Sequence, residues 1–136
     1  MSRPEAAPIH ACVGTGRHRV DASALLCGGD VVVALQGGTR PHIGATAMAV
    51  PRASLADPAR MSSSASVLCV VGHKEDELAR AVALRLAAAL ECTVTVVAGL
   101  HVDDASGDDI RVLLEHCDRV VELVAKRCRE VLGKTT

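Results

Sequence analysis

At 136 residues, with 49% hydrophobic side chains and a formal charge of −1, the chain is long enough for one buried core and too apolar to be disordered through its middle. The near-neutral charge removes any electrostatic case for nucleic acid or an anionic membrane, and no apolar run reaches the ~18 residues of a membrane span. Phe, Trp and Tyr are absent, so the core is aliphatic and a planar ligand has no aromatic ring to stack on.

Residues 1–8 are polar and carry Pro4 and Pro8. They read as a flexible arm without the apolar stretch of a signal peptide, which leaves 9–136 as a single domain. Between Arg19 and Cys27 the apolar positions Val20, Ala22, Ala24 and Leu26 alternate, the period of a strand. Gly28-Gly29 and DVVVALQ follow, so the two runs form a hairpin, glycine supplying the positive φ of a tight turn. A second turn, Gly37 to Pro41, leads to a third strand over 42–50 (HIGATAMAV). Apolar residues on both of its faces predict cover on both sides. Residues 51–64, with Pro51, Pro58 and the run Ser62-Ser63-Ser64, read as a surface loop. The serines lack the strand-to-helix context of a nucleophile elbow.

The segment ASVLCVV (65–71) is an apolar run of strand length, passing through Gly72-His73 into a helix from about Glu75 to Glu91. Leu78, Val82, Leu86 and Leu90 mark its apolar stripe. TVTVVAG (93–99) is another buried strand, followed by the loop His101-Val102-Asp103-Asp104. The last helix starts at a Ser106 cap with Asp109 three residues on. It holds its stripe from Ile110 and Leu114 to Val131 and stops at Gly133. The expected fold is therefore α/β in class: a single domain whose mixed sheet of antiparallel hairpin strands is followed by a β-α-β-α unit with a right-handed crossover. The six cysteines are scattered, without zinc-ribbon spacing, and Cys27, Cys69, Cys117 and Cys128 lie in apolar segments. Most read as core thiols of a reducing compartment, so a cytoplasmic location is expected. The apolar strands and long helix leave room for a homo-oligomer, most simply a dimer.

Three histidines stand next to glycines at strand ends: His42 before Gly44, His73 after Gly72, and His101 after Gly99. The strands of a βαβ unit are parallel, so His73 and His101 emerge at one sheet edge, where a strand antiparallel to them begins at His42. That edge is where open α/β sheets bind ligands. Neutral imidazoles suit a divalent metal with an open position, and Glu75, Asp76, Asp103 and Asp104 are close enough in sequence to act as further ligands or acceptors. The bland reading is three solvated loop histidines. The turn Gly37-Gly38-Thr39-Arg40 offers backbone amides for an anion nest and Arg40 as a fork for phosphate; its bland reading is a plain hairpin turn.

Taken in order, GGDVVVALQGGTRPHIGATAMAVPR, GHKEDELA and AGLHVDDASGDDI resemble the prenylated-flavin chaperone-like domain family, over roughly Gly28 to Leu123. That family includes the small D-type subunits beside aromatic-acid decarboxylases. The resemblance implies a non-catalytic binder of prenylated FMN that assists delivery to a prenylated-FMN-dependent decarboxylase in a transient complex. It points to Gly37, Gly38, Arg40, His42, Gly44, His73 and His101 as the flavin site. A metal on His42, His73 and His101, bridging to the flavin phosphate, is an added expectation. Two rivals stand beside it. One is a small metal-dependent hydrolase or lyase with a catalytic metal on those histidines and Glu75 or Asp103 as acid or base. The other is a structural accessory subunit with no ligand of its own.

Overall fold

The computed structural model describes residues 6–70, 72 and 75–134. Strand β1 (Ile9–Val13) leads through a 3-10 turn (Gly16–His18) into β2 (Val20–Cys27), β3 (Asp30–Gly38), β4 (Ala45–Ala53) and β5 (Met61–Cys69). Helix α1 (Asp76–Leu90), strand β6 (Val94–His101) and helix α2 (Gly107–Leu132) complete the chain. The strands form one open sheet in the order β1-β2-β3-β6-β4-β5. β3 and β6 are parallel, and every other neighbouring pair is antiparallel.

The expected α/β class, mixed sheet and Gly28-Gly29 hairpin are all present; Cys27 pairs with Asp30 across that turn, and Gly28 takes φ 66°. The βαβ unit is present in split form. β5 and β6 run the same way, but β4 lies between them, antiparallel to both.

Four expectations are corrected. Residues 9–13, unassigned from the sequence, form β1, with Val13 opposite Val20. The third strand begins at Ala45 rather than at His42. The supposed loop 51–64 is mostly strand, because β4 runs on to Ala53 and β5 starts at Met61, leaving only a turn closed by the Ser54 amide on the Arg60 carbonyl (2.8 Å). Pro51 is tolerated because β6 pairs with β4 only as far as Ala49; beyond it β5 is the sole neighbour, an edge-like position that suits proline. Finally, β4 is buried on one face only: Ala45, Ala47 and Ala49 are inside, while Met48 and Val50 are exposed.

Both helices lie on the same face of the sheet. Alanines at 45, 47 and 49 of β4 meet Ala79, Ala83 and Ala87 of α1, all fully buried, so the helix sits close to the strands. Leu35, Val96, Leu86, Leu90, Val120 and Val124 supply the bulk of the core. Of the cysteines, Cys92, Cys117 and Cys128 are buried, whereas Cys12, Cys27 and Cys69 are exposed, so the core reading holds for Cys117 and Cys128 and fails for Cys27 and Cys69. Loss of water pushes the Cys117 thiol up to about 12 and the Cys128 thiol to about 11, which leaves both unreactive.

The cap expected for the last helix is a full capping box. The Asp109 amide donates to the Ser106 hydroxyl (3.1 Å), and the Ser106 amide donates to the Asp109 carboxylate (2.9 Å). His18 Nε2 lies 2.6 Å from the other Asp109 oxygen. The Ser106 amide, with help from His18, holds the Asp109 carboxyl down to about 2. A carboxyl lowered on folding contributes stability above its unfolded value, near about 3.9, and loses it as pH falls toward the folded one. The urea midpoint of the native chain should exceed that of Asp109→Asn above about pH 5, and the gap should narrow below that and close toward pH 2.

Because β6 sits between β3 and β4, the connection at 39–44 must pass over the end of β6. The Thr39 and Arg40 amides donate to the His101 carbonyl (2.7 and 3.3 Å), and the Gly44 amide donates to the Ala98 carbonyl (2.9 Å). At the crossing, a Cβ on Gly99 would stand 1.7 Å from the His42 carbonyl oxygen. Gly99→Ala should therefore cost about 2–3 kcal/mol in denaturant unfolding, because backbone must move. Gly29→Ala, with open space around it, should stay within about 0.5 kcal/mol.

Candidate functional site

The crossing gathers the chemistry at the edge formed by the C-terminal ends of β3 and β6. His101 is the last residue of β6, and Gly38 the last of β3, directly opposite it. Arg40 and His42 ride on the crossing segment. The ring of His42 meets that of His101 edge-on, with centroids 6.3 Å apart. His73 lies outside the described residues, so the structure brings two of the three expected histidines together.

His42 and His101 each have a carboxylate beside them. His42 Nδ1 donates to the Arg40 carbonyl (3.1 Å), which turns Nε2 toward Glu75 Oε1 at 3.0 Å. Glu75 is the residue at which α1 begins. His101 Nε2 lies 2.9 Å from Arg40 Nη2 and 3.0 Å from Asp103 Oδ1. One ring nitrogen can accept from the guanidinium or donate to the carboxylate, not both at once. Arg40 also donates directly to Asp103. The imidazole and then the guanidinium hold the Asp103 carboxyl below its ordinary range. Among the described residues, no group of three or more His, Cys, Asp or Glu side chains converges as a metal site.

The glycines shape this edge through packing. The Gly38 amide donates to the Arg19 carbonyl (3.0 Å), and the Thr39 and Arg40 amides are taken by His101, so the turn does not aim these amides at an anion. Gly38 takes φ 80°, and a Cβ there would lie 2.1 Å from the His101 carbonyl oxygen; on Gly37 it would lie 2.6 Å from that of Arg19. A Cβ on Gly44 would enter the space of the Glu75 carboxylate.

Two hollows meet at His101. On one side is a hollow of about 500 Å³, lined by Arg40, Pro41, His42 and Ile43. On the other is an apolar cleft of about 410 Å³ between the starts of the two helices, lined chiefly by Leu78, Leu100, Val102, Ile110 and Leu114. This cleft was not anticipated. Ile110 and Leu114 fit the stripe of α2 and read as core, yet they are 51% and 49% exposed where they line the open cleft. The loop under the cleft is pinned by Arg17, which donates to the Asp103 carbonyl (3.3 Å) and to the Asp109 carboxylate (3.1 Å).

A model of the prenylated flavin chaperone LpdD-like domain matches residues 14–129. The chain belongs to this family. The matched segment contains the crossing, both hollows, His42 and His101. No curated protein matches the chain. Among the described residues of this LpdD-like domain, no helix is long and apolar enough to cross a membrane. The resemblance read from the glycine–histidine segments is thus confirmed, and the match extends past both ends of the stretch from Gly28 to Leu123.

The apolar cleft permits a direct test of its openness. Leu114→Asp places a charge at the cleft mouth on a half-exposed helical position, so the domain should stay folded, with a change in urea stability within about 1 kcal/mol. Binding of an apolar dye such as ANS should fall several-fold relative to the native chain.

Proposed function

We propose that this domain is a non-catalytic chaperone that binds prenylated FMN across the two hollows and passes it to a prenylated-FMN-dependent decarboxylase in a transient complex. The observation that carries the reading is the junction at His101 of an apolar cleft with a second hollow that holds Arg40 and His42, inside the segment matched by a prenylated-flavin chaperone family. Prenylated FMN has the same division: a flat, largely apolar ring system at one end and a phosphate dianion at the other. The ring system would lie against Leu78, Leu100, Ile110 and Leu114. The phosphate would take Arg40 and a ring N–H of His101, and that of His42 if it displaced the Glu75 carboxylate from Nε2, with Gly37, Gly38 and Gly44 holding the backbone that carries them. His73 belongs to this proposed set through its place in the sequence.

His42 and His101 already engage carboxylates, and no part of the proposed binding passes through a metal. The proposed place of work is the cytoplasm, where the exposed thiols of Cys12, Cys27 and Cys69 stay reduced.

Two features suit a carrier that must let go. Without aromatic rings the site forgoes stacking, worth about 1–3 kcal/mol per ring in nucleic-acid sites. Asp103 also holds Arg40, so an arriving phosphate must compete with a carboxylate for the same guanidinium.

The deciding measurement is the absorbance spectrum between 300 and 600 nm after mixing with prenylated FMN or FMN and desalting. The protein has no aromatic side chain, so a retained flavin is read without overlap. The prenylated form should be retained in preference to FMN, with or without EDTA. Retention of neither by folded protein would overturn the proposal, and loss with EDTA would instead place a metal in the site. Arg40→Ala should weaken retention about tenfold, a discounted figure for an exposed charge-assisted contact. Asp103→Asn, which removes the competitor, should tighten retention by about threefold to tenfold and slow release.

A further inference from the structure

We propose that the outer edge of β5 docks an extended strand of a client protein, and that the strand it takes carries a carboxylate beneath helix α1. β5 ends the sheet, and its nine residues pair with β4 in unbroken register. The Val70 amide donates to the Gly44 carbonyl (2.8 Å) and the Ser54 amide to the Arg60 carbonyl (2.8 Å), so the even-numbered residues of β5 direct their backbone groups at β4. Alternation turns the N–H and C=O of Met61, Ser63, Ala65 and Val67 outward, where they meet no partner among the described residues. From Met61 to Val70 there is no proline, charge or bulge, the devices that ordinarily blunt a sheet edge. The opposite edge is guarded: β1 has five residues, and Arg127 donates to its His10 carbonyl.

A row of outward donors and acceptors at this spacing is matched by the backbone of another extended strand, a mode in which main-chain bonds give affinity and neighbouring side chains give specificity. The flank of α1 supplies the specificity. Arg85 leans away from β5, onto Asp118 and Glu122 of α2, while the Ser63 hydroxyl donates to the Leu84 carbonyl and ties Leu84 to β5. Arg80 stands one turn before Leu84 on that same flank. α1 runs back antiparallel to β5, so at about 1.5 Å per helical residue and about 3.3 Å per strand residue Arg80 comes level with Ala65. Arg80 is exposed and has no ion-pair partner among the described residues. An added strand would run below Leu84 and Arg80 and offer them an apolar side chain and an acid. A second copy of β5 has no acid to offer, and antiparallel pairing about Ala65 would bring the two Arg80 side chains together. The edge also leads to the candidate site: the chain leaving β5 bonds Gly44, which abuts the Glu75 carboxylate. Only the identity of the client rests on the flavin reading, under which it is the decarboxylase, held alongside the flavin edge.

The probe is the peptide Thr-Val-Thr-Glu-Thr-Val-Thr, acetylated and amidated, added in excess to the flavin-free full chain. Amide exchange followed by NMR should slow several-fold at Ser63, Ala65 and Val67. The same peptide with Lys in place of Glu should bind about twofold to fivefold more weakly, the range of an exposed ion pair. Arg80→Glu should reverse that preference. Ala65→Pro removes an outward N–H without touching the β4 ladder and should abolish the protection. If it fails to fold, Arg80→Glu, at an exposed helical position, decides the matter. The proposal is overturned by no protection from either peptide, or by a preference for Glu that survives in Arg80→Glu. Protection of these amides in the free chain that grows with its concentration would also overturn it, by placing a second copy on the edge. Flavin plays no part in these readings, so their failure leaves the flavin assay standing, and the converse holds.

Discussion

The insertion of β6 between β3 and β4 obliges the chain leaving β3 to step over a strand end before it re-enters the sheet. That step is held by three amides, of Thr39, Arg40 and Gly44, donated to the His101 and Ala98 carbonyls. It is possible only because residue 99 has no Cβ, since the His42 carbonyl occupies that space. Every polar group of the proposed site depends on this crossing. Arg40 and His42 ride on it, His101 lies beneath it, and Asp103 and Glu75 meet those side chains from the two flanking elements. A single backbone constraint thus turns a strand connection into a small polar platform.

The platform is half of an amphiphilic edge. Its other half comes from the helices, whose early turns leave Ile110 and Leu114 exposed in a cleft shared with Leu78, Leu100 and Val102. The capping box at Ser106 and the Arg17 and His18 contacts on Asp109 fix where α2 begins, and so set the wall of the cleft. Grip on an anionic ligand is limited by the domain itself, because Arg40 is shared with Asp103 and no ring is available for stacking. A site with this chemistry fits reversible carriage better than permanent retention.

The two faces of the sheet follow different rules. The inner face is filled by Val, Leu and Ala against the helices, while the outer face mixes Ser, Thr, Val and Met without charge through its middle. Strand β4 shows why this asymmetry escaped the pattern: GATAMAV is apolar at nearly every position, so alternation could not tell a face under a helix from a bare one. The same ambiguity hid the start of β5, where Ser62, Ser63 and Ser64 read as loop. Serine is admitted there because β5 is an edge strand, and Ser63 turns inward to donate to the Leu84 carbonyl (2.7 Å).

By itself the sequence determined the class of fold, both helices with the Ser106 cap and Gly133 stop, the glycine hairpin and the family, because each rests on local periodicity or on a motif read along the chain. It also placed His42 and His101 at one edge, since a strand antiparallel to β6 begins where β6 ends. Only the tertiary structure decided that β6 enters between β3 and β4, that the glycine turn spends its amides on protein carbonyls, and that Arg40 and Asp103 face each other across His101. Strand order is set by which edges meet after the chain collapses, through contacts between residues far apart in sequence. No local pattern encodes it, and the pairing of side chains above the sheet inherits that choice.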